Sequence, residues 1–185
     1  MTSADPWQTA EIAGPKKAAV ITKPAMARAV IRRAQHPVLL IGHSAALIDL
    51  GGRKLVDYLL DLARAQNIPV IATGHINRAL RERGYTSAVI MPAVEAGHRI
   101  ADPGWKGPVG KGPCDLAIIA GLPYPMAWTL LSGLKHAAPH TKTITLDNTY
   151  QPNANWSFAN IPAKDWMENL VAIAADTGTE GPNDV

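Results

Sequence analysis

Four short runs of apolar residues each end in a small or polar residue. With these ends they span residues 38–44, 70–75, 116–121 and 143–148. Apolar runs of this length, separated by helical patterns, are typical of strands buried on both faces of a parallel sheet. Sheets of this kind bind ligands beyond the carboxyl ends of their strands. The sequence therefore predicts an α/β fold of the nucleotide-binding type, with a candidate crevice beside these four ends.

The rest of the pattern predicts one domain over residues 1–185. We expect a Pro/Gly-interrupted arm over 1–23, an α/β core over 24–175 and a flexible tail over 176–185. Residues 88–91 resemble a further strand, and Gly51-Gly52 would start the helix predicted for 50–66. The polar segment 150–158 is expected to be irregular.

Composition narrows the class of protein. The chain has 18 Lys and Arg against 15 Asp and Glu, and these bases are scattered, so we expect no nucleic-acid partner. No apolar run reaches the roughly 20 residues needed to cross a bilayer, and no secretory signal pattern is present. The single cysteine, Cys114, excludes an internal disulfide and is too few for an iron–sulfur cluster or a zinc ribbon. These features predict a cytoplasmic protein without a membrane partner, with Cys114 as a buried, inert thiol.

Gly42, His43 and Ser44 form the first candidate site, because they follow a predicted strand and precede a helix. Backbone N–H groups at such a turn can bind a phosphate. The same residues also suit a tight strand-to-helix turn capped by Ser44. The motif is neither a G-x-G-x-x-G nor a P-loop, so both interpretations stay open.

The other strand ends supply the rest of the candidate set. Asp147 and Asn148 could hydrogen-bond a ribose or simply form a turn. Thr73, Gly74 and Gly121 could leave room for a ligand or mark sharp turns. We predict no metal site and no catalytic residue, since the histidines lack metal-ligand spacing and no nucleophile elbow is present. The two histidines on the ligand side are His43 and His75.

Three tryptophans lie outside the regular elements. Trp7 is in the arm, Trp105 in the Gly- and Pro-rich stretch 92–113, and Trp156 in the segment 150–158. Tryptophan is enriched at the energetic centres of interfaces, so these side chains could face a partner. Packing of the loops onto the core is the alternative.

Several motifs together resemble one known family. They are the loop 102–107 (Asp-Pro-Gly-Trp-Lys-Gly), the strand 114–121 followed by Tyr124, the run 134–136 (Leu-Lys-His), and 142–147 leading into 153–160 (Asn-Ala-Asn-Trp-Ser-Phe-Ala-Asn). In these segments the chain is similar to the epsilon subunit of the archaeal acetyl-CoA decarbonylase/synthase complex. The resemblance runs from about residue 18 to 175.

The resemblance implies a Rossmann-like doubly wound parallel sheet, as in the central domains of thiamine-diphosphate enzymes and in sirtuins. It also implies an accessory, non-catalytic role. Such a subunit stabilises the large nickel–iron–sulfur carbon monoxide dehydrogenase (alpha) subunit in an alpha2-epsilon2 assembly and is a candidate aid to electron transfer to FAD. Any FAD site is implied only by the fold.

Two alternatives come from other protein classes. A free-standing NAD-dependent deacylase of the sirtuin type usually has a GAG-type loop, a catalytic histidine and a Cys₄ zinc module, which Gly42-His43-Ser44 and one cysteine match poorly. A thiamine-diphosphate enzyme subunit is the other, but the chain has room only for that enzyme's central domain.

Overall fold

The computed structural model describes residues 16–175. Nine strands lie in this part of the chain: β1 (Ala19–Val20), β2 (Pro37–Ile41), β3 (Asp49–Leu50), β4 (Arg53–Lys54), β5 (Val70–Ala72), β6 (Val89–Ile90), β7 (Leu116–Ala120), β8 (Lys142–Thr145) and β9 (Trp156–Ser157). Seven of them form one parallel sheet in the order β1-β9-β8-β7-β2-β5-β6. The remaining two, β3 and β4, form a small antiparallel hairpin.

The strand order defines a switch point at the centre of the sheet. From β2 the chain moves outward through β5 to β6, then returns to the other side of β2 as β7 and continues to β8 and β9. This reversal is the mark of a doubly wound fold, and ligands of such folds bind beside it. The predicted fold class is therefore confirmed, with the switch point between β2 and β7.

Helices cover both faces of the sheet: α1 (Pro24–Arg33), α2 (Leu55–Ala65), α3 (Asn77–Glu82), α4 (Ala93–Ala101), α5 (Tyr124–Ala137) and α6 (Ala163–Ala174). One core cluster joins Leu39 and Ile41 of β2 to helices α1, α2, α3 and α6. The other joins Val38 and Leu40 to α4 and α5. Alternate residues of one strand thus enter opposite cores, which is why the strands read as continuous apolar runs. Of the helices in this part of the chain, none has the length and apolar character needed to cross a membrane.

The predicted start of the second helix is wrong. Gly51 and Gly52 have φ values of +67° and +86° and form the turn of the β3–β4 hairpin. Two consecutive residues with positive φ suit a tight hairpin turn and cannot begin a right-handed helix. Helix α2 begins at Leu55 instead. The N–H of the preceding residue, Lys54, donates to Asp57 Oδ2 in the first turn of the helix at 2.7 Å.

The segment 150–158 also departs from the prediction, because it contains strand β9. Trp156 and Ser157 pair with β8 on one side and with β1 on the other. The Thr145 hydroxyl donates to Ser157 Oγ at 2.9 Å inside the protein. Strand β1 lies within the stretch assigned to the arm, so the sheet extends into it. The rest of that arm up to residue 15, including Trp7, and the tail 176–185 lie outside the described residues.

Candidate functional site

The carboxyl ends of β2 and β7 meet through backbone atoms at the switch point. The Gly42 N–H donates to Ala120 O, and the Ser44 N–H donates to Gly121 O, both at 2.9 Å. A Cβ atom on Gly42 would collide with the Gly121 carbonyl oxygen, and one on Gly121 would lie 2.6 Å from Ala45 Cβ. Gly121 has a φ of +73°. The two loops are in direct contact, and only glycine fits at both positions.

This contact bears on the two interpretations of the first site. A phosphate-binding turn needs N–H groups that point into open space. Here the Ser44 N–H is bonded to Gly121 O, and residues His43–Ala46 form a single 3₁₀ turn rather than the start of a long helix. The geometry therefore favours a tight turn at Gly42-His43-Ser44.

Asp147 extends this contact to the end of β8. Its Oδ1 accepts the Gly121 N–H at 2.8 Å. Burial raises the pKa of the Asp147 carboxyl to about 7, although the Gly121 N–H acts in the opposite direction. Since one carboxyl oxygen already binds Gly121, the side chain holds the loop that follows β7 rather than presenting both oxygens to a ribose.

Asn148 also serves the loop structure. Its Nδ2 donates to Ile161 O at 3.3 Å, and its backbone oxygen accepts the Ile161 N–H at 3.1 Å. These bonds tie the end of β8 to the approach of α6. The structure thus brings Ser44, Gly121 and Asp147 together and directs Asn148 elsewhere.

The carboxyl end of β5 leaves more free space than the contact between β2 and β7. The Thr73 hydroxyl is buried and has no hydrogen-bond partner among residues 16–175. A Cβ added to Gly74 would meet no atom within 4 Å. The rings of His43 and His75 lie 6.0 Å apart between centroids. In the described part of the chain, no group of three His, Cys, Asp or Glu side chains is arranged to hold a metal ion.

Cys114 and the two tryptophans of the described loops pack against the cores of the protein. Cys114 is buried, and burial raises the pKa of its thiol to about 12, so little nucleophilic thiolate forms near neutral pH. Trp156 and Trp105 are half-buried, each against one of the two cores. Packing of the loops onto the core is therefore the better account of these two tryptophans.

Sequence reasoning missed an apolar groove between α4 and α5. It has a volume of about 310 Å³ and is lined by apolar and small residues together with His98 and Thr129. Val94 and Met126 are 55% and 42% exposed on its rim. Apolar residues at the outer positions of two predicted helices were the available signal.

It also missed a pocket of about 500 Å³ at the opposite edge of the sheet, beside the amino ends of β2, β5 and β6. Arg64, Lys106 and Lys111 are among its lining residues. The two lysines belong to the Gly- and Pro-rich stretch 92–113, whose unusual length was a sign that it does more than connect two elements.

Comparisons with known proteins identify the family of this chain. The family model described as "CO dehydrogenase beta subunit/acetyl-CoA synthase epsilon subunit" matches residues 1–174. The chain is 36% identical over 171 residues to the acetyl-CoA decarbonylase/synthase complex subunit epsilon of Methanothermobacter thermautotrophicus, covering 92% of this chain and 95% of that relative. It is 31% identical over 160 residues to the Methanothrix soehngenii subunit epsilon, covering 84% and 81%. It is 34% identical over 151 residues to subunit epsilon 1 of Archaeoglobus fulgidus, covering 77% and 75%.

The chain therefore belongs to the CO dehydrogenase beta subunit/acetyl-CoA synthase epsilon subunit family. This confirms the resemblance drawn from the loop 102–107 and the segments that follow it.

The raised pKa of Asp147 predicts a pH dependence of stability. Between its ordinary value of 3.8 and about 7, the folded protein keeps a proton that the unfolded chain releases, so stability falls as pH rises through this window. An asparagine side chain in its place cannot ionise, and its amide oxygen can still accept the Gly121 N–H. We expect Asp147→Asn to raise the Tm by a few degrees at pH 8 and to change it little at pH 4.5.

Thermal unfolding followed by circular dichroism at both pH values checks this expectation. Glu168→Gln removes an exposed carboxylate from α6 and serves as the control, with no such difference between the two pH values. A fall in Tm at pH 8, or equal shifts at both pH values, would contradict the assignment.

Proposed function

We propose that this chain is an accessory, non-catalytic subunit of a cytoplasmic acetyl-CoA decarbonylase/synthase complex. In this role it docks on the large nickel–iron–sulfur carbon monoxide dehydrogenase (alpha) subunit and stabilises it in an alpha2-epsilon2 assembly. Relatives named as epsilon subunits of that complex support the proposal, because the similarity to them extends over most of both chains.

The observation that carries the docking role is the apolar groove between α4 and α5. Its rim exposes Val94 and Met126, although apolar side chains of this size are usually buried. An exposed apolar patch with a concave shape is typical of a protein-binding surface. Burial of this groove against a partner would remove apolar surface from water, which favours association.

Two glycines shape the groove. A Cβ on Gly97 would collide with Leu130 Cδ1, so the absence of a side chain there lets α4 pack closely on α5. A Cβ on Gly133 would meet no atom within 4 Å, so space is open above α5 at that position. Space for a partner side chain is therefore open beside Gly133, whereas α4 and α5 are in contact at Gly97.

The chemistry of the lining defines the partner surface. The residues that line the groove include no Asp, Glu, Lys or Arg, and the one titratable side chain among them is His98. We therefore infer that the large subunit presents apolar side chains to this groove, with charged groups kept to the periphery.

A non-catalytic role is consistent with the hydrogen bonds that the polar side chains make at the switch point. The Asp147 carboxyl accepts the Gly121 N–H, and Asn148 binds Ile161. Both side chains hold the loops of the fold together, so their presence there needs no substrate to explain it.

FAD is the cofactor that the fold class suggests for the switch point. In Rossmann-type folds the pyrophosphate of such a cofactor lies against the turn after the first strand. Here the Ser44 N–H is bonded to Gly121 O, and Gly42 leaves no space beside that carbonyl. The residues present do not fit the group at this position. The resemblance implies a role in electron transfer to FAD. That role stays a prediction, and the geometry of this crevice does not support it.

Charge placed in the groove tests the docking role. We expect the double variant Val94→Asp/Met126→Asp to lose co-purification with the large subunit, because two carboxylates would have to be buried against an apolar surface. Val171→Asp is the matched control, since Val171 is 52% exposed on α6, which packs on the other face of the sheet. Circular dichroism shows whether each variant is folded.

Three outcomes test the groove as the docking surface separately from the accessory role. Loss of the partner in the double variant alone supports the groove as the docking surface. Equal behaviour of the double variant and the control contradicts the groove. If the unaltered chain neither co-purifies with the large subunit nor changes its melting temperature, the accessory role itself is wrong.

A flavin titration tests the closed switch point. We expect FAD to leave the NMR amide signals of Ser44, Gly74 and Gly121 unchanged, because the N–H groups of Ser44 and Gly121 are already bonded within the fold. Free riboflavin serves as the control for effects of the flavin ring alone. Saturable shifts of these signals with FAD but not with riboflavin would contradict this expectation.

A further inference from the structure

The pocket at the amino ends of the strands has the size of a small-molecule site. It measures about 500 Å³, and binding sites for small ligands usually span about 300–1,000 Å³. One wall comes from the starts of β2, β5 and β6, and the other from the loop that carries Lys106 to Gly112. This pocket lies across the sheet from the switch point and is independent of the proposed docking role.

The charges that line the pocket are positive. Lys106, Lys111 and Arg64 contribute to its surface, and no Asp or Glu does. Both lysines are exposed, and their ammonium groups make no hydrogen bond or ion pair with any other residue between 16 and 175. Two lysines that are not paired with carboxylates, on the rim of a concave surface, attract an anion.

Arg64 is held in place on the opposite wall. Its Nη2 donates to Arg83 O at 3.2 Å, and its guanidinium lies 5.6 Å from the centroid of the Tyr85 ring. Tyr85 also lines the pocket. The third cation is therefore positioned by the fold, with an aromatic ring beside it.

Two carboxylates beside the pocket already contact residues that line it. Asp115 accepts the N–H groups of Gln35 and His36 at 2.7 and 2.9 Å. Asp61 lies 2.6 Å from the Arg53 guanidinium and 3.9 Å from that of Arg64. Asp61 thus offsets part of the Arg64 charge, and the excess of positive charge comes from the two lysines.

One residue that lines the pocket has a polar atom without a partner in the described part of the chain. His36 Nδ1 is buried and makes no hydrogen bond within residues 16–175. Leaving such an atom unsatisfied is unfavourable. Its ring packs against the loop, because a Cβ on Gly112 would lie 2.7 Å from His36 Nε2. The loop is thus in direct contact with the residue that precedes β2.

We propose that this pocket binds a phosphate-bearing small molecule of nucleotide size. A phosphate group carries more negative charge than a carboxylate and offers several acceptor oxygens, which suits cations arriving from two walls. Lys106 and Lys111 bind the phosphates as point charges, and Arg64 with Tyr85 binds the remainder of the anion. Gly107 and Gly110, with φ values of +72° each, give the lysine loop its curvature.

Isothermal titration calorimetry on the full chain tests this site with three probes: inorganic pyrophosphate, ADP and adenosine. We expect pyrophosphate and ADP to bind and adenosine to give no measurable heat. The variant Lys106→Ala/Lys111→Ala should weaken binding of both anions by about tenfold or more. The control Lys23→Ala/Lys164→Ala removes the same charge at exposed positions elsewhere and should leave the affinity nearly unchanged.

Amide chemical shifts in NMR spectra provide a readout that does not depend on the variants. Pyrophosphate should shift the amide signals of residues 106–112 and 35–36 in the unaltered chain. ADP binding more tightly than pyrophosphate supports a site of nucleotide size, and ADP binding no more tightly than pyrophosphate contradicts it. Absence of anion binding, adenosine binding as tightly as ADP, or an equal loss in the control variant would overturn the proposal.

Discussion

The contact between Gly42 and Gly121 is the constraint on which the arrangement of this protein depends. It joins the two strands where the winding direction of the sheet reverses, and it does so through peptide groups. The Ser44 N–H binds Gly121 O, and the Gly121 N–H binds Asp147, so the ends of β2, β7 and β8 are linked in one hydrogen-bonded series. Neither glycine can carry a side chain without moving its neighbour.

Because of this contact, the two surfaces that we propose to bind a partner and an anion lie away from the switch point, where the fold class would place a ligand. With the switch point closed by backbone, the two sizeable concave surfaces described above lie elsewhere. The groove lies between α4 and α5, which cover one face of the sheet, and it is apolar. The pocket at the amino ends of the strands is cationic. One surface suits a protein partner and the other suits an anion.

The strands and the winding were predictable because both faces of each central strand are buried, which leaves a continuous apolar run such as 116–120 in the sequence. The hairpin at Gly51-Gly52 and the two-residue strands β1 and β9 could not be predicted, because two residues are too few to show a periodic pattern. At the site, sequence identified Gly42, Gly121 and Asp147 as strand ends. It could not show that they bind one another, because glycine and aspartate serve a ligand turn and a loop contact equally well. The pocket combines residues as distant as Gln35 and Gly112, so no local pattern encodes it.

Hydrogen exchange of the Ser44 and Gly121 amides is the most direct test of the closed switch point. Both N–H groups are bonded to protein acceptors, so we expect them to exchange far more slowly than unbonded loop amides. Adding FAD should leave their exchange rates unchanged. Exchange as fast as that of an unbonded loop amide, or new protection on adding FAD, would show that the crevice is open and would contradict the account.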